Sequence, residues 1–232
     1  MMTLTYSPLI AHATSPKCAI LWGYLNERES TTGRTQLKMT DLNFDTTLSS
    51  FEIKSAFSIL QKFKAIQGLE IKNGMVSYDS VDLKGLLEHL KKSKSEMLGE
   101  KSLPYLLLES VTLEKTHILM MSKMGLMLNA SILFSIMNNY VHRQALSKPN
   151  QPFSHWFEAN YQLWIEMSGL TMKQIKEAKR GLVEMGILES SCSGRPVVHQ
   201  HRLNYQQFAH FIELYFRGLD QHNYELDEAE AI

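Results

Sequence analysis

The residues best equipped for chemistry follow Thr171 closely: Lys173, Lys176, Lys179 and Arg180. Ile175, Ala178, Leu182 and Met185 recur at helical spacing and define an apolar side, while Lys173, Lys176, Glu177 and Arg180 fall opposite. A helix that buries one stripe presents the other to a partner. Such a helix fits the major groove of duplex DNA, and the amides of its first turn favour phosphate. Thr171, Lys173, Lys176, Lys179 and Arg180 are therefore candidate DNA contacts. Arg195, beside Gly194 at an expected hairpin tip, has the reach for a minor groove or a phosphate. A thinner basic surface lies earlier, with Lys54 and Lys62 on a helix and Lys72 near another hairpin tip. That surface suits backbone phosphates or a protein equally. The competing reading of these cations is a solvated or protein-docking face of mixed charge.

Other chemistries find less support. The chain has nine histidines. His199 and His201 alternate on one expected strand and share a face, with Cys192 on the partner strand. No fourth ligand stands near them, so polar strand positions are expected rather than a zinc site. There is no glycine-rich phosphate loop, nucleophile elbow or His-x-x-x-His pair, and the carboxylates are scattered. No catalytic residue, metal or cofactor is expected, and the chain reads as non-enzymatic. Met120, Met121, Met124, Met127 and Met137 read as fillers of an irregular core.

The elements that must position the cations form one plan, used twice: a helix, a short helix, a longer amphipathic helix and a two-stranded hairpin. In the first half, helices are expected at 16–28 and 39–44. A third runs from the Ser49/Glu52 capping box to about Ala65. Ile53, Ala56, Phe57, Leu60 and Phe63 make its inner face, and Ser55, Ser58 and Lys62 its outer one, with Lys54 at the flank. Asn73-Gly74 between 69–72 and 75–78 is a strong hairpin signal, because both turn positions require positive φ. A connector follows, helical over 81–90, charged over 91–101 and ended by Pro104.

The second half is expected to open with a strand over 118–122 and a helix over 129–143, with Ile132, Leu133, Ile136, Met137 and Tyr140 inward. Trp156 and Phe157 pack where the chain re-enters. Asn160 starts a short helix over 161–167, and Ser168-Gly169-Leu170 is the turn. A Thr171/Gln174 capping box opens the next helix, to Met185, with Gly186 as its left-handed cap. A hairpin turns at 193–196. Asn204 caps a last helix to about Gly218, whose Phe208, Phe211, Ile212, Tyr215 and Phe216 either close the core or form a dimer face.

Formal net charge is zero over 232 residues. The distribution is uneven: residues 220–232 hold five of the 24 acids and no Lys or Arg, leaving 24 basic against 19 acidic residues elsewhere. This acidic tail reads as a solvated, disordered end, or as a competitor of DNA for the basic face. Two distant cysteines imply a reducing compartment rather than a disulfide framework. Residues 1–12 lack a basic start and a long apolar run, so no signal peptide is expected. The most apolar window, 118–141, is interrupted by Lys123, Gly125 and Asn129 and reads as core rather than membrane span. A cytoplasmic protein without membrane contact is expected.

The run Leu163-Trp164-Ile165-Glu166-Met167-Ser168-Gly169-Leu170-Thr171-Met172-Lys173-Gln174-Ile175, continued to Gly186-Ile187-Leu188, resembles the helix-turn-helix of winged-helix proteins. It is similar to those of replication and regulatory proteins of phages, plasmids and integrated elements. Gly125-Leu126-Met127-Leu128-Asn129 resembles the opening helix of that group, so the likeness covers about 118–203. It implies a mainly α fold with small β-hairpin wings (α+β) in tandem winged-helix domains. These would be an N-terminal domain over 1–90, a connector over 91–115, a C-terminal domain over 116–219 and the tail over 220–232. It further implies binding of double-stranded DNA in replication initiation or transcription regulation of a bacterial mobile genetic element. The alternative is a protein-docking adaptor, such as a helicase loader or a subunit of a larger nucleoprotein complex. A homodimer or a protein complex is expected, and a free homodimer that binds DNA tightly would count against the adaptor.

Overall fold

A computed structural model describes residues 3–33, 35–82, 88, 111–147, 156–158, 161–193 and 198–230. These are mostly helical, with small antiparallel sheets.

The chain opens with β1 (Thr3–Tyr6) and α1 (Pro8–Ala13), neither expected from the sequence. Helix α2 (Pro16–Thr32) follows, capped by Ser15, whose side chain accepts from the Cys18 amide. Its C-terminus closes on Gly33 in the left-handed conformation. Strand β2 (Gln36–Lys38), α3 (Met39–Thr46) and α4 (Ser50–Lys62) come next. The capping box forms in full: the Ser49 side chain accepts from the Glu52 amide, and Glu52 accepts from the Ser49 amide. Ile53, Ala56, Phe57 and Leu60 are buried as expected, and Phe63 is half-buried.

Beyond α4 lie β3 (Ile66–Gln67), β4 (Glu70–Lys72), β5 (Met75–Ser77) and β6 (Ser80–Val81). Strands β4 and β5 form the expected hairpin, with Asn73 at φ 51° and Gly74 at φ 76°. Strand β2 adds to the far side of β5, so the sheet order is β2-β5-β4. Strand β7 (Val111–Glu114) pairs antiparallel with β1.

One expectation fails here. Residues 118–122 are not a strand but part of α5 (Lys115–Lys123). Leucine and methionine there favour helix, and Ile118 and Met121 are buried one turn apart while Leu119 is exposed. Gly125 at φ 79° ends the helix, with the Leu126 amide donating back to the Met121 carbonyl. The strand lies just before, in the alternating Val111-Thr112-Leu113-Glu114. The expected helix over 81–90, the charged run 91–101 and Pro104 fall outside the described residues, apart from β6, Asp82 and Glu88.

The second half continues with α6 (Leu128–Ser147), β8 (Phe157–Glu158), α7 (Tyr161–Ser168), α8 (Met172–Glu184), β9 (Leu188–Ser193) and β10 (Val198–Leu203). Ile132, Leu133, Ile136 and Met137 are buried; Tyr140 is half-buried and donates to the Glu158 carbonyl at 3.3 Å. Strand β8 adds to β10, so the order is β8-β10-β9. Asn160 and the turn 194–197 lie outside the described residues. The last helix, α9 (Tyr205–Glu230), is capped by Asn204, whose side chain accepts from the Gln207 amide. It runs past Gly218 through the segment read as a disordered tail. No proline interrupts it, and Leu, Glu and Ala favour helix.

Backbone contacts divide the chain into two units, residues 1–115 with 161–175, and residues 116–160 with 176–232. The core of the first is α2 against α4 and β1, with Leu21, Leu25, Phe57 and Leu60 sealed from solvent. Gly23 lets β1 approach: a Cβ there would stand 2.4 Å from the Thr5 carbonyl oxygen. Within the same unit the buried Tyr6 hydroxyl donates to the Ser168 carbonyl at 3.0 Å. In the second unit Phe134 and Phe208 stack at 4.1 Å, with His117 edge-on to both. Phe208 thus joins the core, Phe211, Ile212 and Tyr215 are half-buried, and Phe216 is exposed.

Candidate nucleic-acid interface

Helix α8 is set by its ends. Gly169 at φ 70° makes the turn out of α7. The Gln174 side chain accepts from the Thr171 amide at 2.9 Å, and the Thr171 hydroxyl accepts from the Gln174 amide at 3.3 Å. At the far end Gly186 adopts φ 68°, and the Ile187 amide donates to the Leu182 carbonyl.

The packing between these caps follows the expected stripes. Ile175, Ala178 and Leu182 are buried, and Met185 is half-buried. Thr171, Lys173, Lys176, Glu177 and Arg180 are exposed. Lys179 is the exception among the candidate cations. It is half-buried, and burial pushes its ammonium below the ordinary lysine range, partly offset by attraction to Cys192. Lys179 sits inward because it lies four residues after the buried Ile175 and three before the buried Leu182, at the edge of the apolar stripe. Arg195 lies outside the described residues.

Acidic neighbours thin the positive face. Arg180 pairs with Glu184 at 3.6 Å, one turn on. Glu177, Arg180 and Glu184 form one wall of an open groove of about 380 Å³, and the segment from Gly125 to Ala130 forms the other. Gly181 shapes its floor, where a Cβ would meet the Leu126 side chain at 2.7 Å. Sequence spacing placed Glu177 on this face; the contribution of the α5–α6 turn depends on tertiary packing.

The earlier basic surface is sparser. Helix α4 exposes Lys54, Ser55, Ser58 and Lys62 as expected. It also exposes Phe51 at 82%, and the preceding α3 exposes Phe44 at 71%. Lys72 pairs with Glu70 at 2.9 Å on the hairpin.

The strand histidines have separate surroundings. His201 is buried, its Nδ1 3.1 Å from the Ser190 hydroxyl and its ring against Phe157. His199 stands 3.1 Å from the Cys192 sulfur through Nδ1. Among the described residues no group of three or more His, Cys, Asp or Glu side chains is placed to hold a metal ion. None of the described helices is long and apolar enough to cross a membrane. Compared with models of known families, with curated proteins and with solved structures, the chain shows no match.

Proposed function

We propose that the chain is a non-enzymatic, tandem winged-helix protein that binds duplex DNA in the cytoplasm, with α8 as its recognition helix. The observation that carries this reading is the repeated plan. In each half a helix, a short strand, two helices and a hairpin occur in that order, and the short strand returns to the hairpin's second strand, as β2-β5-β4 and β8-β10-β9. This is the arrangement in which a hairpin wing flanks a helix offered to a groove. The outward cations Lys173, Lys176 and Arg180 supply the attraction to phosphate. The setting follows the resemblance of 118–203: replication initiation or transcriptional control of a bacterial mobile element.

The test is binding of the whole chain to random-sequence duplex across a salt series. A steep fall of affinity with salt is expected, and Lys176→Ala with Arg180→Ala flattens it. Affinity and slope unchanged in that double variant would sink the assigned face.

A second reading, a protein-docking adaptor, draws on Phe51 and Phe44. Large exposed aromatics beside few cations suit a protein partner better than a phosphate backbone. Copurification of a stoichiometric protein, with no duplex affinity at low salt, would replace the first reading with this one.

A further inference from the structure

The chain has two cysteines in opposite circumstances. Cys18 is fully buried in α2, and burial pushes its thiol up, only partly countered by the Ser15 hydroxyl. Cys192 is exposed on β9. Strand register sets it opposite His199 on β10, where the imidazole Nδ1 lies 3.1 Å from the sulfur. A third group comes from another element: the half-buried Lys179 of α8 interacts electrostatically with Cys192. All three belong to the second unit.

We propose that Cys192 is a covalent modification site, at which a soluble low-molecular-weight disulfide is attacked with His199 as proton acceptor. Two parts of an activated nucleophile are present: a sulfur open to solvent and a base in hydrogen-bond reach. As the new sulfur–sulfur bond forms, the Cys192 thiol proton passes to His199 Nδ1, which requires the tautomer with hydrogen on Nε2. The disulfide's own S–S bond breaks, and its departing sulfur leaves as a thiolate with the bonding pair. Cys192 is oxidised to a mixed disulfide, and the departing half is reduced. Ser190 and His201, the neighbouring cross-strand pair, repeat the hydrogen bond with a hydroxyl in place of the thiol and with the histidine buried. A serine hydroxyl does not exchange with a disulfide, so the chemistry depends on the sulfur.

The test treats the full chain with oxidised glutathione and follows the intact mass. One adduct is expected, absent in Cys192→Ser. The folded chain should react faster than the same chain in urea, and His199→Gln should slow the folded reaction on the order of tenfold while leaving the unfolded rate alone. An adduct on Cys18, a folded rate no faster than the unfolded one, or a His199→Gln rate equal to wild type would each overturn the proposal. None of these outcomes depends on DNA binding.

Discussion

Helices α4 and α8 occupy the same place in the same order of elements, yet they present different chemistry. Each begins in a reciprocal capping box, Ser49 with Glu52 and Thr171 with Gln174. Each buries one apolar stripe. On the outer side α4 offers Phe51, two serines and flanking lysines, whereas α8 offers Lys173, Lys176 and Arg180 beside Glu177. The hairpins differ too, with three-residue strands around Asn73-Gly74 against six-residue strands in β9 and β10. Caps and buried stripes build the scaffold, and the outward residues are left open to differ. Function is to be sought in that outward difference.

The largest expected effect tests the part the two halves share. Leu60 in α4 and Leu182 in α8 have no solvent exposure. Leu60→Ala and Leu182→Ala should each cost about 3 kcal/mol in urea denaturation. A loss under about 1 kcal/mol in either would mean that its half lacks a packed core, and the likeness of plan would be superficial.

The next effect sharpens the difference. Replacing Lys176 and Arg180 together with alanine should weaken duplex binding and lower the salt slope by about 2, near one unit per phosphate contact. The matching pair Lys54→Ala and Lys62→Ala should change the slope by less than about 1. Equal losses from both pairs would break the asymmetry and make both helices DNA contacts.

Smaller effects concern turns and caps. Gly74→Ala places a side chain at φ 76° in open space, so conformational strain alone should cost about 1 kcal/mol by thermal denaturation. An unchanged melting temperature would contradict the tight turn that distinguishes the first hairpin.

Glu52 gives a pH signature confined to the first half. Burial raises its pKa, but the ion pair with Lys17 at 2.6 Å and the bonds from Ser49 outweigh that and leave it below the ordinary value of 4.5. A depressed carboxyl stabilises the fold above the unfolded-state pKa, and the contribution fades as pH falls through the folded one. Glu52→Gln should therefore reduce stability at neutral pH and make little difference in strong acid. A deficit of the same size at both pH values would remove the charge from the explanation.

Local sequence determined the parts whose causes are local. The two capping boxes, Asn73-Gly74, Gly186 and the stripe Ile175, Ala178 and Leu182 each act within a turn or two of chain, so residue type and spacing reveal them. Tertiary structure alone decided the rest. The apolar run 118–122 is too short for its pattern to separate helix from strand, and burial of Ile118 and Met121 but not Leu119 shows the helical face. Strand β1 has meaning only once β7 lies beside it, more than a hundred residues away. The pairing of Cys192 with His199 depends on strand register. Contacts of that kind join residues distant in sequence, and a linear pattern carries no record of the distance between them.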